Sequence, residues 1–359
     1  MFNALAKQNI AQAENFPFCT IDPNIQILPI PDSSLEQLGL LAKSLRTVPA
    51  TIEWMDVAGL AKGAHRGEGL GNRFLGTLRE CRALCHMTRI FQDDNVVHVD
   101  GKVNPVADME AISLELLFAD MAHVERRLEK DKVPPEERAV LERVLVGLQQ
   151  GKPARALDLS DEEQFAIRSM GILTLKPILH AFNVDEVDYL LDRERIMDMI
   201  QNEILSKAEY CFDPRKDMWT LVSAKVESDI ATLSLQEQEE YFEVLGVTNF
   251  DRSLLCYNLI PTLITQLLNM SIVYTGPGVP PERSKTTRAH LLSGSLSAQK
   301  LAGRIHGDIE KGFIRAEVIP ANVLLEHETY AAAKDSGSIR SEGKDYQLVD
   351  NDVVCIKWK

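Results

Sequence analysis

The sequence lacks any long uninterrupted run of apolar residues. A membrane-spanning helix needs about 20 consecutive, mostly apolar residues, so we predict that no segment of this chain crosses a membrane. The first residues, MFNALAKQNIAQ, have neither the apolar core of a signal peptide nor the arginine content of a transit peptide. We therefore expect a cytoplasmic protein, and an organellar location only if an N-terminal address is missing from the sequence.

Positive charge is also scarce. Lysine and arginine together number 39 against 53 acidic residues, which gives a net charge of −14. This balance argues against a protein that coats nucleic acid without specificity, although it is compatible with a local basic patch. With 359 residues, of which 45% are hydrophobic, the chain can bury sizeable cores, and we expect two or three domains.

Cysteine is infrequent, with six residues scattered along the chain, most of them in apolar surroundings. Cys81 and Cys85 have the spacing of neighbours on one face of a helix and His86 follows, so a metal site is one interpretation. Zinc sites usually draw on a second pair of ligands, and the sequence has no such pair. We favour reduced thiols buried in the core.

The most informative stretch lies between residues 50 and 75. A short run that favours β-structure leads to Asp56, and a glycine-dense segment follows. A carboxylate at the end of a strand can hold Mg²⁺ through its water shell, and the N–H of Gly59 can approach a phosphate because glycine has no Cβ. The alternative is a plain glycine-rich loop after an edge strand. Four further glycines in this window argue against it: Gly63, Gly67, Gly69 and Gly71.

Hydrophobic patterns predict regular elements along the rest of the chain. On both sides of Pro134 and Pro135, apolar residues recur at three- and four-residue steps, which predicts two antiparallel amphipathic helices within residues 108–150. The other predicted elements are strands at 25–30, 51–55, 173–181 and 218–222, helices at 34–41, 230–245, 254–268 and 301–306, a helix after Gly71, and a β-hairpin at 343–358.

Seven stretches of sequence carry a family resemblance over essentially the whole chain. They are NFPFCTIDPN (15–24), GLAKGAHRGEGLGNRFL (59–75), ALDLSDEE (156–163), LTLKP (173–177), NVDE (183–186), SAK (223–225) and IHGDIEKGFIRAEVI (305–319). Together they resemble the Obg-like ATPases, the YchF family of P-loop nucleotidases.

The resemblance implies an α/β fold. Its core would be a doubly wound sheet of the P-loop NTPase type, with an inserted α-helical hairpin arm and a C-terminal ubiquitin-like (TGS) β-grasp domain. The implied domains are a nucleotide-binding domain at 1–107 and 177–272, a helical coiled-coil insertion at 108–176, and a TGS domain at 273–359. In that last domain, four basic residues are either a basic face or ordinary surface charge: Lys300, Arg304, Lys311 and Arg315.

The resemblance also implies a site for Mg²⁺ and a nucleoside triphosphate. Thr20 and Asp56 would lie near the metal, and Gly59 would contact the γ-phosphate. Leu60 stands where many GTPases carry a glutamine that orients the attacking water, and leucine cannot do this. His65 is a candidate for that role, and a solvent-exposed histidine without a role is the alternative.

Adenine recognition is implied by two short motifs that follow predicted strands. Asn183, Val184 and Glu186 stand where GTPases carry Asn-Lys-x-Asp, whose aspartate binds N1–H and the 2-amino group of guanine. Glutamate in place of that aspartate favours ATP over GTP. Ser223 and Ala224 would contact the base from the neighbouring loop. A helix cap is the alternative interpretation of Asn183 and Glu186.

The family's first strand and phosphate loop have no counterpart here. No Gly-Lys-Ser/Thr sequence occurs in these 359 residues, so the lysine that reaches the β- and γ-phosphates is absent. We expect that the sequence is an incomplete version of a longer protein, the alternative being a relative that has lost phosphate binding.

The sequence therefore predicts an ATP-binding and ATP-hydrolysing switch protein that acts with the ribosome. The alternatives are a catalytically inactive scaffold that docks on the ribosome or on protein partners, and a GTPase. The resemblance further implies an RNA contact through the TGS domain. At residues 280–288 the family usually has a tryptophan-containing strand, whereas this chain has PPERSKTTR.

Overall fold

The computed structural model describes residues 1–6, 24–57, 70–93, 102–279 and 284–359. These residues form two compact units, Met1–Gln26 with Trp54–Leu267 and Ile27–Glu53 with Leu268–Lys359. We call them the first unit and the second unit. The division into three domains stays a prediction. In the described ranges, no helix is both long enough and apolar enough to span a bilayer.

The regular elements alternate between helix and strand over much of the chain. The strands are β1 (Asn24–Pro29), β2 (Arg46–Val48), β3 (Thr51–Asp56), β4 (Leu84–Arg89), β5 (Ile178–Asn183), β6 (Met218–Val222), β7 (Met270–Thr275), β8 (Thr286–Ser293), β9 (Phe313–Pro320), β10 (Arg340–Glu342) and β11 (Asp352–Trp358). The α-helices are α1 (Phe2–Ala6), α2 (Ser33–Leu41), α3 (Leu70–Glu80), α4 (Pro105–Leu128), α5 (Pro135–Gln149), α6 (Asp161–Ala166), α7 (Glu186–Leu190), α8 (Arg193–Met199), α9 (Ala224–Ile230), α10 (Leu235–Val244), α11 (Cys256–Leu267), α12 (Ala298–Ile305), α13 (Gly307–Lys311), α14 (Ala321–Leu325) and α15 (Tyr330–Asp335).

A parallel three-stranded sheet, in the order β4-β5-β6, lies at the centre of the first unit. The central strand β5 is buried along its first five residues, as expected for a parallel strand that is covered on both faces. Parallel strands cannot be joined by a tight turn, and helices occupy both connections, from β4 to β5 and from β5 to β6. The α/β fold predicted from the sequence is confirmed.

The predicted pair of amphipathic helices is present as α4 and α5. Their contact surface is apolar and includes Leu117, Val124, Leu141 and Val144. Near the turn between them, the Arg127 guanidinium donates two hydrogen bonds of 2.7 Å to the Glu137 carboxylate. This paired contact lowers the pKa of Glu137 through the hydrogen bond, and it joins the end of one helix to the start of the next.

Asp120, on α4, is a fully buried carboxylate with partners from two other parts of the first unit. It accepts a hydrogen bond of 2.8 Å from the Arg79 guanidinium of α3. It also accepts the backbone N–H groups of Leu173, at 3.1 Å, and Thr174, at 2.7 Å. Asp120 therefore fixes the helical hairpin to α3 and to the segment that leads into β5.

This contact corrects one predicted boundary. The strand expected at 173–181 begins only at Ile178, and Leu173–Leu175 forms a single 3₁₀ turn instead. Two N–H groups that a strand would use in the sheet are bound to Asp120, and Pro177 has no N–H to donate. The strand can therefore start only after the proline.

A mixed six-stranded sheet, in the order β10-β9-β11-β7-β8-β2, forms the second unit. β2, from the segment Ile27–Glu53, pairs in parallel with β8. Helix α2 begins where Asp32 accepts the N–H of Leu35 at 3.0 Å. Its apolar side joins a core cluster whose members come from both parts of the unit: Ile30, Leu35, Leu38, Ala50, Tyr274, Ala289, Ile319, Ala321, Leu324, Ala333 and Val353.

The predicted hairpin at 343–358 is wrong. β11 lies between β9, to which it is antiparallel, and β7, to which it is parallel, so its partners are distant in sequence. The residues before it form a turn in which Asp352 accepts the N–H of Val349 at 2.9 Å and the hydroxyl of Tyr346 at 3.0 Å. Asn351 has a φ of +66°, which completes this turn.

Two histidines lie side by side in the parallel sheet. His86 of β4 is the register partner of His180 of β5, and their ring centroids are 5.7 Å apart. His180 is 1% exposed, and among the described residues neither of its ring nitrogens has a hydrogen-bond partner. Burial lowers the pKa of His180 well below its usual value and that of His86 to about 4. Both rings are therefore neutral at neutral pH.

We expect Asp120→Ala to lower the free energy of unfolding by about 3–5 kcal/mol, because it leaves the Arg79 guanidinium and two backbone N–H groups without their acceptor. Urea titration followed by circular dichroism measures this loss. Asp131→Ala, in the exposed loop between α4 and α5, is the matched control and should change stability by less than about 0.5 kcal/mol. Equal losses in the two variants would contradict the role given to Asp120.

The two histidines also predict a pH dependence. The unfolded chain protonates them near their ordinary pKa of 6.5, whereas the folded chain protonates His86 only near pH 4. The stability that the two neutral, buried rings contribute is fully present above the unfolded-state pKa of 6.5. It is lost as the pH falls from there to about 4. In urea titrations at several pH values, the free energy of unfolding of wild type should fall relative to that of His180→Leu as the pH is lowered. A difference that does not change with pH would refute this.

Candidate functional site

The carboxyl ends of β5 and β6 lie next to each other at one edge of the parallel sheet. Asn183, the last residue of β5, is in register with Val222, the last residue of β6. The pairing continues one residue further, because the N–H of Val184 donates to the carbonyl of Val222 at 2.9 Å. Ligands of open α/β sheets bind at this edge, so the loops after β5 and β6 are in the expected place for a site.

Asn183 joins these two loops directly. Its side-chain oxygen Oδ1 accepts a hydrogen bond of 2.9 Å from the backbone N–H of Ala224, the first residue of α9. The two motifs singled out in the sequence, at 183–186 and 223–225, are thereby held together although about 40 residues separate them. The N–H of Ala224 is already engaged by Asn183, whereas the hydroxyl of Ser223 in the same loop has no partner among the described residues.

Ser223 is completely buried, and among the described residues its hydroxyl has no hydrogen-bond partner. It occupies the N-cap position of α9 but makes no capping bond. Buried hydroxyl groups are normally paired, so an orphan at the edge of a sheet fits a polar ligand. Val184 is also buried, at 2% exposure, beside the same loop.

Glu186 is the first residue of α7 and is half-buried. The helix is capped by Asp185, which accepts the N–H of Asp188 at 2.9 Å, so the interpretation of Asn183 and Glu186 as a helix cap is wrong. Instead, Oε1 of Glu186 accepts a hydrogen bond of 2.7 Å from the hydroxyl of Tyr241. The Glu186 carboxylate is thus held in one orientation by a contact from α10.

Tyr241 belongs to this site, although no motif in the sequence points to it. Its hydroxyl lies 2.7 Å from Glu186 and 3.3 Å from Oδ2 of Asp229, which pairs with the Lys225 ammonium at 2.6 Å. Burial and the Glu186 carboxylate raise the pKa of Tyr241, so the hydroxyl keeps its proton and acts as the donor. Tyr241 falls within a predicted helix, and its contact with Glu186 depends on how α10 packs.

Asp56, the predicted metal ligand, ends strand β3 and is half-buried. Burial raises the pKa of its carboxyl, and a hydrogen bond with the side chain of Asn24 acts in the opposite direction. A carboxylate that has lost part of its hydration gains from a nearby cation, so Asp56 fits the role of a magnesium ligand. Thr20, Gly59 and His65 lie outside the described residues.

The other metal site considered in the sequence receives no support. Cys81 follows the end of α3 and Cys85 lies in β4, so the two residues do not share a helix face. Within the described ranges, no group of three or more histidine, cysteine or acidic side chains is arranged to hold a metal ion. The cysteines that the structure describes are free thiols, and burial raises the pKa of Cys85 to about 12. Such a thiol remains protonated and unreactive.

Comparisons with known proteins agree over the whole chain. Residues 1–119 match the family model "50S ribosome-binding GTPase", and residues 282–359 match the YchF GTPase C-terminal model, described as "Protein of unknown function (DUF933)". The chain is 41% identical over 362 residues to "Ribosome-binding ATPase YchF" of Escherichia coli O157:H7, covering 99% of this chain and 94% of that protein. It is 37% identical to the protein of the same name from Bacillus subtilis (strain 168), covering 100% and 95%.

A solved structure also matches. The structure of the Schizosaccharomyces pombe YchF GTPase has a TM-score of 0.75 and 28% sequence identity, covering 99% of this chain and 93% of that one. The likeness extends over both units of the chain.

Replacing Asn183 by alanine should release the N–H of Ala224. Losing the acceptor costs about 1 kcal/mol locally, so hydrogen exchange at Ala224 should accelerate by roughly fivefold to tenfold. Asn183→Asp keeps an oxygen in place and should retain the protection, while Asp185→Ala should affect Asp188 instead. Unchanged exchange at Ala224 in Asn183→Ala would show that the bond does not hold the two loops together.

Proposed function

Because the chain belongs to the YchF family, we propose that it is an ATP-binding and ATP-hydrolysing switch protein that works with Mg²⁺ and with the ribosome. The observation that carries the proposal is the hydrogen bond from Ala224 to Asn183, which holds together, at one sheet edge, two loops whose sequences resemble the family's base-binding motifs. The names of the curated relatives support the ribosome as a partner and ATP as the substrate.

The surroundings of Glu186 support a preference for adenine. Guanine recognition by a carboxylate uses both oxygens, one for N1–H and one for the 2-amino group. Here the Tyr241 hydroxyl uses one of the two lone pairs of Oε1 and fixes the direction of the Glu186 carboxylate, so a two-bond contact with guanine would have to fit this orientation. The 6-amino group of adenine needs only one acceptor, which Oε2 can supply. We assign Glu186 to this contact and Tyr241 to positioning it.

The remaining base contacts follow from the same edge of the sheet. The orphan hydroxyl of Ser223 would hydrogen-bond the base, and Val184 would lie beside it through its backbone. Asn183 and Ala224 would keep the two loops at the correct separation through their mutual bond. A ligand here would satisfy a buried polar group that has no described protein partner, which favours binding.

The residues that would hold Mg²⁺ and the phosphates are assigned from the position of Asp56 and from the family resemblance. Mg²⁺, when bound, would neutralise charge on the β- and γ-phosphates. Asp56 would hold the metal through its water shell, with Thr20 as the second metal contact and Gly59 at the γ-phosphate. His65 is our candidate for positioning water. No residue of this sequence is assigned to the phosphate loop.

Two alternatives are a scaffold that docks on the ribosome or on protein partners without hydrolysis, and a GTPase. The family description of residues 1–119 favours a GTPase. The C-terminal residues 273–359 would supply an RNA contact in either case, and association with ribosomes would place the protein in the cytoplasm or in an organelle that contains ribosomes.

Isothermal titration of the 359-residue chain with ATP and with GTP, in the presence of Mg²⁺, tests the proposal. We expect ATP to bind at least about tenfold more tightly than GTP. Asn183→Ala should weaken ATP binding by about tenfold or more, and Asn202→Ala, an exposed asparagine of the same unit, should not. Tyr241→Phe should narrow the preference for ATP by allowing GTP to use both oxygens of Glu186.

The outcomes separate the alternatives. Phosphate release that accompanies ATP binding would support the ATPase, and tighter binding of GTP than of ATP would support the GTPase. A chain that co-sediments with ribosomes but gives no heat with either nucleotide would support the scaffold. If Tyr241→Phe weakened both nucleotides equally, Tyr241 would have only a structural role.

A further inference from the structure

A cavity of about 260 Å³ lies in the second unit, and none of the residues assigned to the nucleotide lines it. Its walls come from three elements. They are the connection from β2 into β3 at Pro49, Ala50 and Thr51, the strand β8 from Arg288 to Leu291, and Arg304 near the end of α12. This volume is below the roughly 300–1,000 Å³ of pockets for drug-sized ligands, so the cavity suits a small ligand or one group of a larger one.

The lining of this cavity is positively charged. None of its eight residues is acidic, and it contains two guanidinium groups, those of Arg288 and Arg304. One guanidinium nitrogen of Arg304 donates a hydrogen bond of 3.0 Å to the carbonyl oxygen of Leu291, and this contact holds the side chain against β8. Among the residues that the structure describes, no carboxylate forms an ion pair with either guanidinium.

His290 lies in the same lining as both guanidinium groups. Burial, together with the charges of Arg288 and Arg304, lowers the pKa of His290 to about 4. Its Nε2 atom is 2.8 Å from the hydroxyl of Thr275, so the neutral ring is held in place. Two guanidinium groups line one open pocket in a protein with a net charge of −14, and no carboxylate of the described residues pairs with them. A bound anion would offset the repulsion between their charges.

We propose that this cavity binds the terminal phosphate of a small phosphorylated molecule, held between Arg288 and Arg304. Arginine presents planar pairs of N–H groups that match phosphate oxygens, and each guanidinium can donate two parallel hydrogen bonds. A phosphomonoester carries about two negative charges at neutral pH, equal to the two guanidinium charges, whereas each phosphodiester of a nucleic acid carries one. The three-sided cavity also differs from the open stripe of cations that follows a nucleic acid backbone.

This site is independent of the proposed function. It uses none of the residues that contact the nucleotide, and it requires only residues of the second unit. Of the four basic residues singled out in the C-terminal sequence, only Arg304 lines it.

The test is isothermal titration of the full chain with inorganic phosphate and with ribose 5-phosphate, in chloride buffer near pH 7.5. Ribose 5-phosphate carries the terminal phosphate but no base. We expect binding that weakens at least about tenfold in Arg288→Gln and in Arg304→Gln. Lys344→Gln removes the same charge at an exposed position outside the cavity and should leave binding unchanged. Arg288→Lys keeps the charge without the paired donors and should give an intermediate loss.

Two further titrations decide where the phosphate binds and which class of ligand the cavity takes. The Asn183→Ala variant should bind ribose 5-phosphate as tightly as wild type does. Weaker binding by this variant would show that the phosphate binds at the nucleotide site and not in the cavity. An oligonucleotide without terminal phosphates should bind more weakly than ribose 5-phosphate, and tighter binding would overturn the proposal in favour of a nucleic acid contact. Absence of binding to wild type, or equal binding in Arg288→Gln with an unchanged melting temperature, would also overturn it.

Discussion

The parallel pairing of β5 with β4 and β6 is the constraint on which the first unit depends. Parallel strands end at the same edge of a sheet, so the register of Asn183 with Val222 brings together loops that are distant in sequence. The register itself is fixed because β5 is buried along its first five residues, and a shift by one residue would exchange the side chains of its two faces. The hydrogen bond between Asn183 and Ala224 is a consequence of this register, and the orientation of the two candidate motifs follows from it.

Buried carboxylates determine where the elements of this unit begin. Asp217 accepts the N–H of Ile178 at 3.0 Å, at the first residue of β5, and pairs with the buried Arg155 guanidinium at 3.2 Å. Asp120 binds the backbone just before that strand. Buried ion pairs contribute little net stability relative to apolar packing, but each costs several kcal/mol when one partner is lost. In this unit the buried carboxylates fix the start of the central strand, and apolar contacts provide most of the stability.

Local sequence patterns predicted the elements that are stabilised locally. The helix α2, the helical pair α4 and α5, and the strands β1, β3 and β6 begin within a few residues of the expected positions, because caps, apolar periodicity and prolines act over short distances. The failures involve distant partners. The start of β5 depends on Asp120, which is 53 residues from Leu173, and the path of β11 depends on β7 and β9.

At the candidate site, the motif residues were found through the family resemblance. Tyr241 was not found, because its contact with Glu186 spans 55 residues and no local signal in the sequence marks it.

The chain passes between the two units at three places, since Ile27–Glu53 belongs to the second unit while the residues on either side of it belong to the first. The second unit is therefore discontinuous in sequence and cannot be excised as a single fragment. A fragment that starts near residue 273 would lack β2, which completes one side of the six-stranded sheet, and Leu35 and Leu38, which belong to its core. The C-terminal domain implied by the family resemblance, residues 273–359, is therefore only a part of the second unit. Deletion of the C-terminal residues would expose the apolar side chains of Ile27–Glu53 that pack against them.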